Sequence, residues 1–201
     1  DHLGDHHAWQ KESFFEPSCH IPFLLSWPAE IEGGAAEDRL VGLADLFGIA
    51  TTAAGEPELR DGIDVLGMAT GTGEGREHLI GYYGLPGTKQ FKVMVRRNEW
   101  KYIYIAAGGL EQLFNVVEDP QELTLQNARG PDILRQLRNI AFEACLRPGV
   151  DAAVDGAVLK AFPRTEDLRE HERITQMDAS RGAVGFPEHP ADVLQGYEFD
   201  I

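Results

Sequence analysis

Gly4-Asp5-His6-His7-Ala8-Trp9-Gln10-Lys11-Glu12-Ser13-Phe14-Phe15-Glu16, followed by Ile21-Pro22-Phe23-Leu24-Leu25-Ser26-Trp27-Pro28, is the stretch from which the rest of the chain is read. Residues 1–20 mix His, Asp, Gly and aromatic residues with no clean period, which marks an active-site type of loop leading into a strand. Ile21–Trp27 is a short apolar run bounded by prolines, the composition of a buried strand in a largely parallel sheet. Asp1, His2, Asp5, His6 and His7 place five potential metal ligands within seven residues. His2 and His6 stand four apart, as on one helical turn, but Gly4 interrupts any helix there. Lys11 taken alone is an exposed loop lysine, which is what most lysines are.

The composition sets limits on the rest. At 201 residues, 43% hydrophobic and 25% charged, the chain has the makeup of one or two globular domains with a real core. No apolar stretch approaches the roughly 18–20 residues needed to cross a bilayer, so no membrane partner is expected. A net charge of −15 leaves no excess of Lys and Arg to neutralise phosphates and argues against nucleic acid. The acids are dispersed, as in Glu30, Glu32, Glu37 and Asp38 or Glu166, Asp167, Glu170 and Glu172, and read as a solvated surface. Cys19 and Cys145 are the only cysteines, which makes a disulfide framework unexpected and fits a reducing compartment such as the cytoplasm.

Further along, Arg39–Ala53 carries Leu40, Leu43, Ala44, Leu46, Phe47 and Ala50 at helical spacing, with Glu37 and Asp38 at the dipole-favoured end. Residues 55–75 are Gly-rich and read as an exposed linker. Their Gly71-Thr72-Gly73-Glu74-Gly75 lacks the Gly-Lys-Ser/Thr ending of a phosphate loop. From His78 the pattern turns antiparallel. Leu79–Tyr83 reads as a strand, and Phe91–Arg97 and Trp100–Ile105 alternate around Asn98-Glu99 as a hairpin. Leu113–Val117 adds a strand before the turn at Glu118-Asp119-Pro120. Pro131–Leu146 is a helix with Ile133, Leu134, Leu137, Ile140, Ala141 and Ala144 on one face, stopped by Arg147-Pro148-Gly149. Beyond it, Asp151–Phe162 predicts a helix, Arg164–Met177 a polar helix, and Ser180–Ile201 an extended tail that would serve as an oligomerisation arm.

Several of these stretches resemble the type I sulfatases of the alkaline phosphatase superfamily, which also holds the phosphonate monoester hydrolases. The echoes are Leu3-Gly4-Asp5-His6, Trp9-Gln10-Lys11, Phe15-Glu16 and the run ending in Trp27-Pro28, then Val41-Gly42-Leu43-Ala44-Asp45-Leu46. In the second half they are Met94-Val95-Arg96, Trp100-Lys101-Tyr102-Ile103-Tyr104, and Glu111-Gln112-Leu113-Phe114-Asn115 leading to Glu118-Asp119-Pro120-Gln121-Glu122-Leu123. The resemblance runs in order over roughly residues 1–146. It implies an α/β fold: the C-terminal edge of an alkaline-phosphatase-like mixed sheet (1–76), a small antiparallel four-stranded subdomain with a C-terminal helix (77–149), and a C-terminal extension (150–201).

The resemblance also assigns roles. Lys11 matches the lysine that contacts the sulfate, a catalytic role that chemistry supports, because a transferring sulfuryl group gathers negative charge on its oxygens. Asp1 aligns with the last Asp of the family's Ser-Asp-His-Gly-Asp, which places it near metal and substrate without making it a ligand. Asp1 and His6 are the candidate substrate-binding residues, His6 as a supporting histidine rather than a base, and His20 has a packing role. No metal ligand is assigned in the chain. The family's nucleophile is a formylglycine made from Cys or Ser in Cys/Ser-x-Pro-x-Arg, a pattern that neither Cys19 nor Cys145 fits. The formylglycine and a divalent cation, calcium or a similar ion, are therefore expected from an upstream portion of the same enzyme.

The expected function is part of a metal-dependent sulfatase-like hydrolase acting on small sulfate esters and forming a homo-oligomer. Phosphonate monoester or phosphodiester hydrolysis is the alternative within the superfamily. A non-catalytic acidic interaction module is the rival from another class, should the chain natively start at Asp1.

Overall fold

A computed structural model describes residues 1–11, 13–34 and 36–164. In chain order the elements are β1 (His2–Leu3), a 3-10 turn at Asp5–His7, β2 (Trp9–Gln10), α1 (Glu16–Cys19), α2 (Asp45–Ala53) and α3 (Val65–Ala69). Then come β3 (Leu79–Tyr83), β4 (Lys92–Arg97), β5 (Trp100–Ile105), β6 (Leu110–Asn115), α4 (Pro131–Cys145), a 3-10 turn at Asp151–Ala153, β7 (Val154–Asp155) and β8 (Val158–Leu159). The chain divides into two compact units: Pro22–Leu79, and Asp1–Ile21 together with the chain from Ile80 onward. The N-terminal segment thus groups with the antiparallel sheet.

That sheet has the order β3-β4-β5-β6, as its alternating pattern predicts. The turn between β4 and β5 is made by Asn98-Glu99, where Asn98 takes φ 50, a left-handed conformation its short polar side chain tolerates. Register places Val95 opposite Tyr102 and Tyr102 opposite Leu113, and these residues point to one face. There they meet Leu137, Ala141 and Cys145 of α4 in one core cluster. Pro131 starts α4 at the first-turn position where its missing N–H is harmless. The opposite face carries Met94, Ile103 and Phe114, and Phe15 of the N-terminal segment packs into it.

Residues 151–162 are not the expected helix. The short β7–β8 hairpin forms instead, with Gly156 at φ 61 in its turn, and Ala153, Leu159 and Phe162 join the α4 side of the core. The polar helix and extended tail expected further on, with their oligomerisation arm, lie outside the described residues.

In the 22–79 unit the helix begins at Asp45 rather than Arg39. The Asp45 carboxylate turns back to accept from Gly42 N at 2.6 Å, accepts from Ile63 N at 3.0 Å and pairs with Arg76. A fully buried carboxylate that gathers three donors bends the chain before the helix instead of letting it continue. Residues 55–75 also contain more structure than a linker. Asp64 caps α3 by accepting from Gly67 N at 2.8 Å, and Val65, Leu66 and Met68 are buried. Ile21–Trp27, expected as a strand, has no strand pairing, and Leu24 is 95% exposed. Strand geometry requires hydrogen bonds from a neighbour, and among the described residues no strand lies beside this run.

Candidate active site

The N-terminal segment folds back on itself within eleven residues. His2 pairs with Gln10 and Leu3 with Trp9, and Gly4 at φ 112 makes the reversal. Gly4 N donates to Ala8 O at 3.0 Å, and Asp5 accepts from Leu3 N at 3.2 Å, a bond that holds its carboxyl below the ordinary range. Gly is needed at position 4 because a side chain at that φ is strained.

This hairpin brings together two of the three candidate site residues. Lys11, directly after β2, places its Nζ 3.4 Å from Oδ1 of Asp1, directly before β1. Their side chains are 73% and 53% exposed, so the pair contributes little to stability. What it offers is chemistry: an accessible ammonium beside a carboxylate, able to exchange that carboxylate for an anionic substrate.

The third candidate, His6, is held elsewhere in the segment. Its ring stacks on Phe15 at 3.8 Å between centroids with 7° between planes. Burial pushes the His6 pKa below the usual histidine value, against the backbone of Gln121 and the charges of Asp5 and Asp119. His2 is 1% exposed, its Nε2 lies 2.6 Å from Ser13 Oγ, and burial likewise lowers its pKa. Both rings are neutral scaffolding groups at neutral pH. His20 departs from the expected packing role: it is exposed and pairs with Glu16 at 2.7 Å. Phe15 is core.

A charged cluster whose members the sequence marks only as parts of family-like stretches lies beneath this segment. Lys101 on β5 is 1% exposed. Its Nζ is 2.5 Å from Glu16 Oε1 and 2.8 Å from Glu122 Oε1, donates to Phe14 O at 2.8 Å, and lies 3.7 Å from Cys19 Sγ. Glu122 Oε2 in turn accepts from Glu16 N at 2.5 Å. Burial opposes the Lys101 charge, yet Glu122, Cys19 and Glu16 outweigh it and hold the ammonium above its usual range. Burial raises the deeper Glu122, whereas in Glu16 the attraction of Lys101 overcomes burial and the carboxyl lies below its usual range. One sequence signal could have exposed the cluster: Lys101 alternates with Ile103 and Ile105 on one strand face, so a buried lysine there demands carboxylates.

Neither thiol is a nucleophile in this setting. Burial raises the pKa of Cys19 and pushes that of Cys145 up to about 11. Among the described residues no group of three or more His, Cys, Asp or Glu could hold a metal ion.

Residues 4–140 match the family described as N-sulphoglucosamine sulphohydrolase, C-terminal. Among curated relatives, the choline-sulfatase of Rhizobium meliloti (strain 1021) is 34% identical over 141 residues, covering 65% of this chain and 26% of that protein. Arylsulfatase K of Homo sapiens is 29% identical over 163 residues, covering 75% and 30%. The chain thus spans less than a third of the length of these relatives. Among solved structures, a Bacteroides fragilis protein described as a sulfatase superposes with a TM-score of 0.52 at 17% identity, over 63% of this chain and 30% of that one. That likeness supports the α/β fold expected for the chain.

Proposed function

The chain belongs to the N-sulphoglucosamine sulphohydrolase C-terminal family, and from that premise we propose that it is the C-terminal part of a sulfate ester hydrolase. The observation that carries the reading is the exposed Lys11 ammonium, set beside Asp1 by the β1–β2 hairpin. In hydrolysis of a sulfate ester the S–O bond to the alcohol breaks as a nucleophile bonds to sulfur, and negative charge grows on the leaving oxygen. Lys11 donates to the sulfate oxygens and stabilises that charge as it develops. Asp1 holds the ammonium in place until the anionic substrate arrives. Neutral His6, stacked on Phe15, supports the segment from below and adds no second positive charge.

The nucleophile, a formylglycine, and a divalent cation such as calcium belong to the same proposal and are assigned to polypeptide upstream of Asp1. Self-association through the 150–201 extension is also part of it, and sedimentation of a protein cut after Arg164, which keeps the core residues Ala153, Leu159 and Phe162, would test it.

The main test is sulfate release by the full-length protein. The panel spans the substrate classes that the family description and the relatives' names carry: two sulfate esters, choline sulfate and an aryl sulfate, and one sulfamate, an N-sulfated glucosamine. Release of inorganic sulfate from either ester supports the reading, whereas release from the N-sulfated sugar alone would transfer the assignment to sulfamate hydrolysis. Turnover confined to a phosphonate monoester or phosphodiester would transfer the assignment to that chemistry, and no turnover of either kind would overturn it.

A further inference from the structure

Lys101 sits on β5, an interior strand hydrogen-bonded by β4 on one side and β6 on the other. It shares a sheet face with Met94, Ile103 and Phe114, where an apolar side chain would pack without needing a partner. Instead its ammonium gathers the Phe14 carbonyl, Glu16 and Glu122, and Glu122 also receives Glu16 N. Three of these four contacts fall on residues 14–16. The segment is already anchored by burial of Phe15, but apolar burial has no direction. Phe14 stands next to Phe15, so a slip of one residue would still bury a phenyl ring. Hydrogen bonds and ion pairs to Phe14 O, Glu16 and Glu16 N are directional and admit one register.

From that register the path to the candidate site is continuous. Phe15 N donates to Ser13 Oγ at 3.3 Å, and Ser13 Oγ bonds His2 Nε2 at 2.6 Å. His2 pairs across the hairpin with Gln10, and Lys11 follows directly. We propose that Lys101 is a positioning residue: through Phe14, Glu16 and the Ser13–His2 bond it sets where the Lys11 ammonium stands. This rests on the reading of Lys11 as the sulfate contact.

The test is a double-mutant cycle in the full-length protein, with Lys101→Met, Lys11→Ala and both together. The readouts are kcat and KM for 4-nitrophenyl sulfate, or for the best ester of the panel above, alongside thermal unfolding. Lys101→Met is expected to lower kcat roughly tenfold to hundredfold, the scale of a displaced catalytic group. KM should rise by less than kcat falls, because the displaced ammonium also meets the sulfate of the bound substrate but matters most as charge develops. In the Lys11→Ala background the further loss from Lys101→Met should vanish. A merely structural lysine would multiply both backgrounds by the same factor, and that result would overturn the proposal. Should Lys101→Met not fold, Glu16→Gln, which keeps the shape and removes a charge contact, is carried through the same cycle with the same decision. If Lys11→Ala leaves turnover intact, the assignment of Lys11 itself fails and takes the positioning role with it. If Lys11→Ala cripples turnover while neither Lys101→Met nor Glu16→Gln changes kcat, only the positioning role fails.

Discussion

The Lys101 ammonium lies 2.8 Å from the Oε1 of Glu122, with side chains 1% and 0% exposed. They stand twenty-one positions apart in sequence, Lys101 on the interior strand β5 and Glu122 in a turn where it takes φ 55. An enclosed pair of this kind gains nothing over well-packed apolar side chains, but it is costly to break from one side.

Glu122→Ala is therefore expected to destabilise the fold by about 3–5 kcal/mol, because it leaves the buried Lys101 short of one carboxylate and Glu16 N without its acceptor. The double change Lys101→Met/Glu122→Leu should recover only the part that comes from the uncompensated Lys101 charge, because Glu16 N and Phe14 O are still left without partners. Urea unfolding of the three proteins measures both, and a double variant no better than the single one would contradict the account.

Lys11→Ala should behave in the opposite way. Its pair with Asp1 is solvent-exposed, so stability should change by no more than about 0.5 kcal/mol. Sulfate ester turnover in the full-length protein should fall roughly a hundredfold to a thousandfold. An unfolding midpoint and a kcat on the same preparation separate the two effects.

Acid should loosen the N-terminal segment first. His2 and His6 have folded pKa values lowered by burial, with Asp5 opposing that shift in each. Unfolded, both titrate near 6.5, so below that pH the unfolded chain binds protons that the buried rings do not. Their contribution is complete above the unfolded value and is lost as pH falls from there toward the lower folded values. Amide hydrogen exchange of residues 1–20, corrected for intrinsic rates, should show protection falling from about pH 7 to pH 5. Constant protection would count against the burial of these rings.

Asp45→Ala should open the 22–79 unit. It strips the acceptor from Gly42 N and Ile63 N and leaves the guanidinium of Arg76, 13% exposed, without its carboxylate. A loss of about 3 kcal/mol or more is expected. Limited proteolysis should then cleave near α2 and α3 well before it reaches the β4–β5–β6 sheet.

What could be read from the residues in order follows from the range of the forces involved. The alternation in Lys92–Arg97 and Trp100–Ile105 and the apolar stripe of Pro131–Cys145 are local patterns, and the sheet and α4 appear where those patterns lie. The motifs around Lys11 and Trp100-Lys101-Tyr102 likewise sufficed to identify the family. Ile21–Trp27 shows the limit: its composition marks it for burial, but a strand's hydrogen bonds belong to its neighbour, and no described strand provides them. Residues 151–162 show another, because the turn at Gly156 and packing against Leu137 and Cys145 outweigh a weak helical tendency. Sequence by itself determined the class of fold, the family and the accessible lysine. Tertiary structure alone decided that Lys101 is buried, that Glu16 and Glu122 meet it from 85 and 21 residues away, and that Asp1 returns to Lys11. The reason is physical: helical and strand periodicity acts within a few residues, whereas burial of a charge and the search for its partners depend on which distant segments the fold brings to the same place.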